Sequence, residues 1–229
     1  MASYTDHTSP LIYARVAGLA YLITILLGIF SVNFVANNLI VPENNLATIN
    51  NILTNEFLFR IGIASEILMY VLVILLSLSL YIVLKPVNKN LALLALLWRL
   101  AEAIIGGSTT VISGLIPLLL INNETIHIQE FISLFLDVRS AGLDVVLIFI
   151  GMGGTIFCYL FFKSNYVPRV LAVWGMITYI TMLIVSFASI LSPDITERTK
   201  MFFYVPGGLF EIIFGLWLLI MGINVKKTQ

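Results

Sequence analysis

Four acidic side chains lie within stretches that otherwise have the composition of membrane-spanning helices: Glu66, Glu102, Asp144 and Glu211. A charged side chain at the centre of a bilayer costs about 2.5–3.5 kcal/mol on insertion scales, so it usually has a charge partner or a function. Carboxylates in such a setting bind cations, carry protons or act as general acids and bases. We therefore take these four residues as candidate binding or proton-carrying groups.

Three arginines are the candidate charge partners of these acids. Arg99 precedes Glu102 by three residues, a spacing at which two side chains on one helix can pair directly. Arg60 and Arg139 each lie shortly before an acid in the sequence, so we expect them at the mouth of a site. Their expected role is to orient a ligand or to neutralise charge.

Each acid belongs to a helical stripe of small and hydroxyl residues, whereas the opposite face is aliphatic or aromatic. On the third apolar stretch, for example, Glu102 shares a face with Gly106, Thr109 and Ser113. Small residues mark helix–helix contacts in lipid, and polar residues avoid acyl chains. The pattern predicts that the carboxylates point inward, into an outward-facing acidic cleft.

The composition indicates an all-α, polytopic membrane protein. Of the 229 residues, 60% are hydrophobic and 10% are charged, whereas soluble proteins have about 25% charged residues. The formal net charge is zero, so nucleic acid is not an expected partner; the lipid bilayer is. The two histidines and the single cysteine do not form a ligand set within the apolar stretches, so we expect no metal or other cofactor.

Apolar windows of about 20 residues predict six transmembrane helices in one bundle, forming a single domain over residues 1–229. The connector after the first window has apolar residues at helical spacing over 44–57. It is predicted to be an amphipathic helix at the membrane surface or a lid over the outer mouth. The predicted spans lie near residues 11–36, 61–84, 91–121, 138–162, 169–192 and 203–223.

The distribution of Lys and Arg predicts the orientation, because cytoplasmic loops are enriched in both. One side has seven of these residues, and the other has four. We therefore expect a multi-pass protein of the plasma membrane with both termini in the cytoplasm. The first set is Arg15, Lys85, Lys89, Lys163, Arg169, Lys226 and Lys227, and the second is Arg60, Arg139, Arg198 and Lys200.

The even-numbered spans share a skeleton of an outer base, an acid and an inner lysine. In the second and fourth spans, the base and the lysine are 25 and 24 residues apart. Duplication of a helix pair would explain this repeat, as in many transporters. Alternatively, helices of one orientation simply share basic inner ends. The residues are Arg60, Glu66 and Lys85; Arg139, Asp144 and Lys163; and, more loosely, Arg198 with Lys200, Glu211 and Lys226.

Three functions fit these features. The first is binding or transport of a small solute or cation, either alone or linked to protons, with the acids as ligands or carriers. The second is an intramembrane enzyme in which paired carboxyls perform acid–base chemistry on a lipid-like substrate. The third is a membrane sensor or assembly subunit whose ion pairs are structural. We favour the first and assign no catalytic residue; a homo-oligomer is compatible with six spans, but no residue indicates one.

Six further motifs extend along the chain: Phe59-Arg60-Ile61-Gly62 with Glu66, the run Leu84–Leu94, Arg99-Leu100-Ala101-Glu102-Ala103, Phe135–Gly142, Lys163–Leu171, and Glu211 with Leu216–Leu219 and Gly222–Asn224. Together they resemble a bacterial and archaeal membrane family catalogued as domain of unknown function 4386. The resemblance extends from Ala14 to Asn224 and implies a prokaryotic multi-span protein without an established activity.

Overall fold

A computed structural model describes residues 9–42, 44–123, 128–192, 195 and 197–224, and these residues form helices without strands. Helix α1 comprises Ser9–Phe30 and continues through a π-helical segment, Ser31–Ala36, to Asn37–Leu39. Helix α4 likewise comprises Lys89–Thr110, a π-helical segment, Val111–Leu115, and Ile116–Asn122. The other helices are α2 (Asn45–Thr54), α3 (Glu56–Leu84), α5 (Ile128–Ser164), α6 (Arg169–Leu191) and α7 (Glu197–Ile220).

Six of these helices, all except α2, are long and apolar enough to cross a membrane, as the sequence predicts. They run up and down between two ends of the bundle. The terminal end carries the starts of α1, α4 and α6, and the distal end carries α2 and the starts of α3, α5 and α7. Asparagine caps fix two of the starts: Asn88 accepts a hydrogen bond from the amide of Leu91, and Asn44 accepts one from Ala47.

The six spans form a closed ring. Each packs against the next in the order α1, α3, α4, α5, α6 and α7, and α7 packs against α1. Gly18 and Gly215 allow the closing contact, because a Cβ on Gly18 would lie 2.6 Å from the carbonyl oxygen of Gly215. The acids on different helices therefore face a common interior.

The ring is filled in its terminal half and more open in its distal half. Tyr179, Phe161, Phe210, Phe214 and Leu80 are almost completely buried in the main core, which closes the interior towards the terminal end. A second, smaller core lies under α2 at the distal end and includes Ile49 and Ile52 of that helix. The polar interior between these two cores is the place where a site can form.

Helix α2 lies within the segment 44–57 that the sequence predicts to be helical, but it ends at Thr54. Asn55 then leaves the helical conformation, and α3 begins at Glu56. Thr48, Ile49 and Ile52 are buried, whereas Leu46 and Leu53 are about half exposed. The helix therefore covers the distal end with one face and leaves an apolar edge uncovered.

Candidate functional site

Glu66 of α3 is the centre of the distal polar cluster. Arg139 of α5 forms a bidentate ion pair with it, in which Nη1 lies 3.1 Å from Oε2 and Nη2 contacts Oε1. The Thr110 hydroxyl of α4 donates to Oε2 at 3.0 Å, and the Ser31 hydroxyl of α1 donates to Oε1. One carboxylate thus accepts hydrogen bonds from three other helices.

The two hydroxyl donors lie at π-helical segments. Ser31 is the first residue of the π segment in α1, and Thr110 immediately precedes the π segment in α4. A π-helical turn contains an extra residue, so it changes the direction in which the following side chains point; such turns are frequent at functional sites. Neither segment was predicted from the sequence, and with them the two donors were missed.

Glu66 and Arg139 form a wall shared by two cavities. The lid cavity, of about 40 Å³, lies beneath α2 and is lined mostly by apolar residues such as Val35, Ile52 and Phe135. It has room for a few water molecules, since one water needs roughly 10–15 Å³. The inner cavity, of about 320 Å³, lies on the other side of the pair and extends to Tyr70 and Thr109.

Asp144 of α5 forms the second distal ion pair, with Lys200 of α7. The Nζ atom of Lys200 lies 2.8 Å from Oδ2, and the Ser189 hydroxyl of α6 donates to the same oxygen at 2.9 Å. Both charged residues are buried. They lie at the back of a lateral crevice of about 710 Å³ between α1, α5 and α7, which shares Gly28, Val32 and Leu143 with the inner cavity.

The repeated skeleton in the sequence has a structural counterpart in these two pairs. The acid of α3 takes its base from α5, and the acid of α5 takes its base from α7. Arg139 and Asp144, the base and acid of the repeat on α5, therefore pair with the other two repeats and not with each other. Arg60, the base of the first repeat, pairs within its own helix. Arg198, which we also assigned to the third repeat, has a side chain outside the described part of the structure.

Arg99 and Glu102 form the pair that their spacing on α4 predicts. Their Nη1 and Oε2 atoms are 2.7 Å apart, and both residues are almost completely buried. The two atoms lack hydrogen-bond geometry with any described group, including each other. The pair lies closer to the middle of the bundle than Glu66 does, because Glu102 is two turns from Thr110 along α4.

Glu211 of α7 contacts two tyrosines, which were not predicted as site residues. The Tyr179 hydroxyl of α6 donates to Oε1 at 2.8 Å, and its oxygen lies 3.2 Å from the hydroxyl of Tyr21 on α1. Both tyrosines are buried, whereas Glu211 retains some exposed surface. Arg99 lies against Gly153 of α5, and the ring of Tyr179 lies against the adjacent Gly154.

Arg60 is the one predicted charge partner that the structure places away from the four acids. It pairs with Glu56 at 2.5 Å, one turn earlier on α3, and its side chain is about half exposed at the distal end. The four-residue spacing of Glu56 and Arg60 was a signal for this pair.

In the described residues, no group of three or more His, Cys, Asp or Glu side chains could hold a metal ion.

The comparisons with known proteins identify the family of the chain. The family model described as Domain of unknown function (DUF4386) matches residues 16–222, which include most of the first span and the whole of the other five. None of the curated proteins and none of the solved structures that were compared matches the chain. Because the match covers most of its length, the chain belongs to the family described as Domain of unknown function (DUF4386).

Proposed function

We propose that the protein binds and transports a small cation or cationic solute, in exchange for protons, at Glu66. The observation that carries this proposal is the position of the Glu66–Arg139 pair between the lid cavity and the inner cavity. A cation that enters either cavity meets a carboxylate whose present partner is another cation. Arg139 then acts as a tethered substitute that neutralises Glu66 when the site is empty.

The proposed exchange also provides a way to couple binding to helix movement. The donors to Glu66 come from α1, α4 and α5, so a proton or cation on the carboxylate weakens contacts to three helices at once. A ligand shifts a conformational equilibrium only through such differential contacts. The terminal half of the ring is filled by the main core, so movement must reopen it before a ligand can leave there.

Asp144 and Lys200 are a second candidate pair of the same kind. Their crevice adjoins the inner cavity. Asp144 can therefore be neutralised either by Lys200 or by a cation that enters the crevice. The proposal places Glu102 and Glu211 deeper along the route. We place the protein in the plasma membrane of a prokaryote, as the family resemblance implies. Both termini then lie in the cytoplasm, as the distribution of Lys and Arg predicts.

The two other functions have less support. An enzyme of the expected kind needs two carboxyls within reach of one bound group, but Glu66 and Asp144, the acids that line the cavities, each face their own base. A sensor or assembly subunit with purely structural pairs predicts that neutralising an acid together with its partner is harmless. That prediction separates a scaffold from a transporter.

The test is proton movement in vesicles that contain the purified protein and a trapped pH-sensitive dye. We expect a gradient of Na⁺, K⁺ or tetramethylammonium to drive proton flux in the wild type. We expect Glu66→Gln to lower this flux at least tenfold. The matched control is Glu56→Gln, which neutralises a partly exposed glutamate on the same helix and should leave the flux unchanged.

Two results would contradict the proposal. If folded wild-type protein moves no protons in response to any of these cations, the transport function is wrong. If Glu66→Gln transports as fast as the wild type, the site lies elsewhere. Infrared titration of the Glu66→Gln, Asp144→Asn and Glu211→Gln variants then shows which carboxyl responds to pH and to each cation.

A further inference from the structure

The centre of the ring, where the main core meets the polar interior, collects one titratable side chain from every span. Arg99 pairs with Glu102 and lies against Gly153 of α5, and the ring of Tyr179 lies against the next residue, Gly154. Tyr179 joins Glu211 to Tyr21, Cys158 lies one turn further along α5, and Tyr70 lies against Gly106, one turn from Glu102. We call this set the central cluster: Tyr21, Tyr70, Glu102, Cys158, Tyr179 and Glu211, together with Arg99.

The formal charges of the central cluster do not balance. Glu102 and Glu211 carry two negative charges when ionised, and Arg99 supplies one positive charge. The remaining members are neutral in their ordinary forms. The cluster is therefore one positive charge short of neutrality when both acids are ionised. A buried net charge is costly unless it is paired.

The hydrogen bonding of the cluster is incomplete at the same place. Nη1 of Arg99 and Oε2 of Glu102 are buried and contact each other at 2.7 Å, but neither has a hydrogen bond of acceptable geometry. Buried polar atoms are usually satisfied by protein groups, ordered water or a bound ion. The missing positive charge and the two atoms without hydrogen bonds therefore both indicate a bound group beside Glu102.

Tyr70 is the member of the central cluster that faces the distal site. Its ring lies against the backbone of Gly106, since a Cβ there would be 2.1 Å from Cε1 of Tyr70. Tyr70 lines the inner cavity together with Glu66 and Arg139, one turn after Glu66 on α3, and Gly106 lies one turn after Glu102 on α4. Tyr70 is thus the side chain between the open part of the interior and the buried acids.

We infer that the central cluster binds one monovalent positive charge, held between Glu102 and Glu211 and reached from the inner cavity past Tyr70. The bound charge is a proton or a small monovalent cation such as Na⁺, because either one neutralises the extra carboxylate. This site is distinct from the Glu66–Arg139 pair. The inference does not depend on transport, since it concerns what the folded protein holds at rest.

The experiment is infrared spectroscopy of the full-length protein in lipid nanodiscs at neutral pH, with either N-methylglucamine or Na⁺ as the buffer cation. In N-methylglucamine we expect the carbonyl band of one protonated carboxyl. It should vanish in both Glu102→Gln and Glu211→Gln, because either change leaves one acid to pair with Arg99. The band should persist in Glu66→Gln, which changes only the distal site.

Two further variants follow the same charge count. Arg99→Gln leaves two acids without a base, so the intensity of the band should double. Tyr179→Phe removes a hydrogen bond to Glu211 but no charge, so the intensity should stay the same. The second variant preserves the ring that packs in the core and keeps the test usable if Arg99→Gln does not fold.

The buffer cation distinguishes the two sources of charge. A band that is unaffected by Na⁺ identifies the proton, and a band that Na⁺ abolishes identifies a site where Na⁺ replaces it. The inference is overturned if the wild type shows no protonated carboxyl in N-methylglucamine. It is also overturned if the band disappears only in Glu211→Gln, because Glu211 would then hold its proton independently of Glu102.

Discussion

Glu56 and Glu66 lie on one helix, ten residues apart, and show how the position of a carboxylate determines its contribution to stability. Glu56 pairs with Arg60 at the exposed distal end, where water stabilises both charges. Glu66 is buried and depends on Ser31, Thr110 and Arg139 for that stabilisation. An exposed pair contributes little to stability, whereas a buried charge that loses its partner is strongly destabilising.

The first prediction compares these two pairs. Arg139→Gln leaves the Glu66 carboxylate without its main partner and should lower the free energy of unfolding by about 3 kcal/mol. The side chain of Arg139 is 31% exposed, so the loss should fall at the lower end for buried pairs. Arg60→Gln should cost less than about 1 kcal/mol. Both are measured as unfolding by denaturing detergent.

The double variant completes this comparison. In Glu66→Gln with Arg139→Gln, no buried charge is left unpaired, so most of the lost stability should return. A double variant that is as unstable as Arg139→Gln alone would show that the guanidinium matters for packing and not for the charge of Glu66.

At the scale of helices, glycines determine how closely polar elements approach. Gly106 of α4 lies under the ring of Tyr70 from α3, and Gly142 of α5 lies against Thr109 of α4. Val35, in the π segment of α1, packs against Gly62 of α3 in the same way. These contacts bring α1, α3, α4 and α5 together at the level of Glu66.

The second prediction uses two adjacent glycines with opposite surroundings. A Cβ at position 106 would lie 2.1 Å from the ring of Tyr70, whereas a Cβ at position 107 would meet no atom within 4 Å. Gly106→Ala should therefore lower the melting temperature by several degrees, and Gly107→Ala should leave it unchanged or raise it slightly. Thermal unfolding of the purified variants measures both.

Replacing the tyrosine tests the cause of this difference. Adding Tyr70→Ala to Gly106→Ala removes the atoms that the new methyl group would meet. The effect of the glycine substitution should then be much smaller than in the background with Tyr70. Equal destabilisation in both backgrounds would mean that Gly106 serves backbone flexibility and not the approach of Tyr70.

At the scale of the whole molecule, the third prediction concerns orientation. Lys89 is exposed at the terminal end, and Asn50 of α2 is exposed at the distal end. In a Cys158→Ser background, intact cells treated with a membrane-impermeant maleimide should label Asn50→Cys and leave Lys89→Cys unlabelled. The reverse pattern would place the terminal end outside and contradict the distribution of Lys and Arg.

Local features of this molecule could be predicted from the sequence, whereas features that depend on ring order could not. The pair Arg99–Glu102 follows from a spacing of three on one helix. The pair Glu66–Arg139 joins residues 73 positions apart, and its partners are set by which helices meet in the interior. The six spans follow from hydropathy, but the π segments that place Ser31 and Thr110 have no comparable signal.

The closed ring has a consequence for the order of the helices along the chain. Leu11 of α1 lies against the position of Gly222, just after α7, since a Cβ on that glycine would be 3.1 Å from Cδ2 of Leu11. The two ends of the ring are therefore close enough to be joined by a short linker. A circularly permuted chain, opened in the turn between α3 and α4, keeps every interhelical contact, so the bundle has no structural need for α1 to come first.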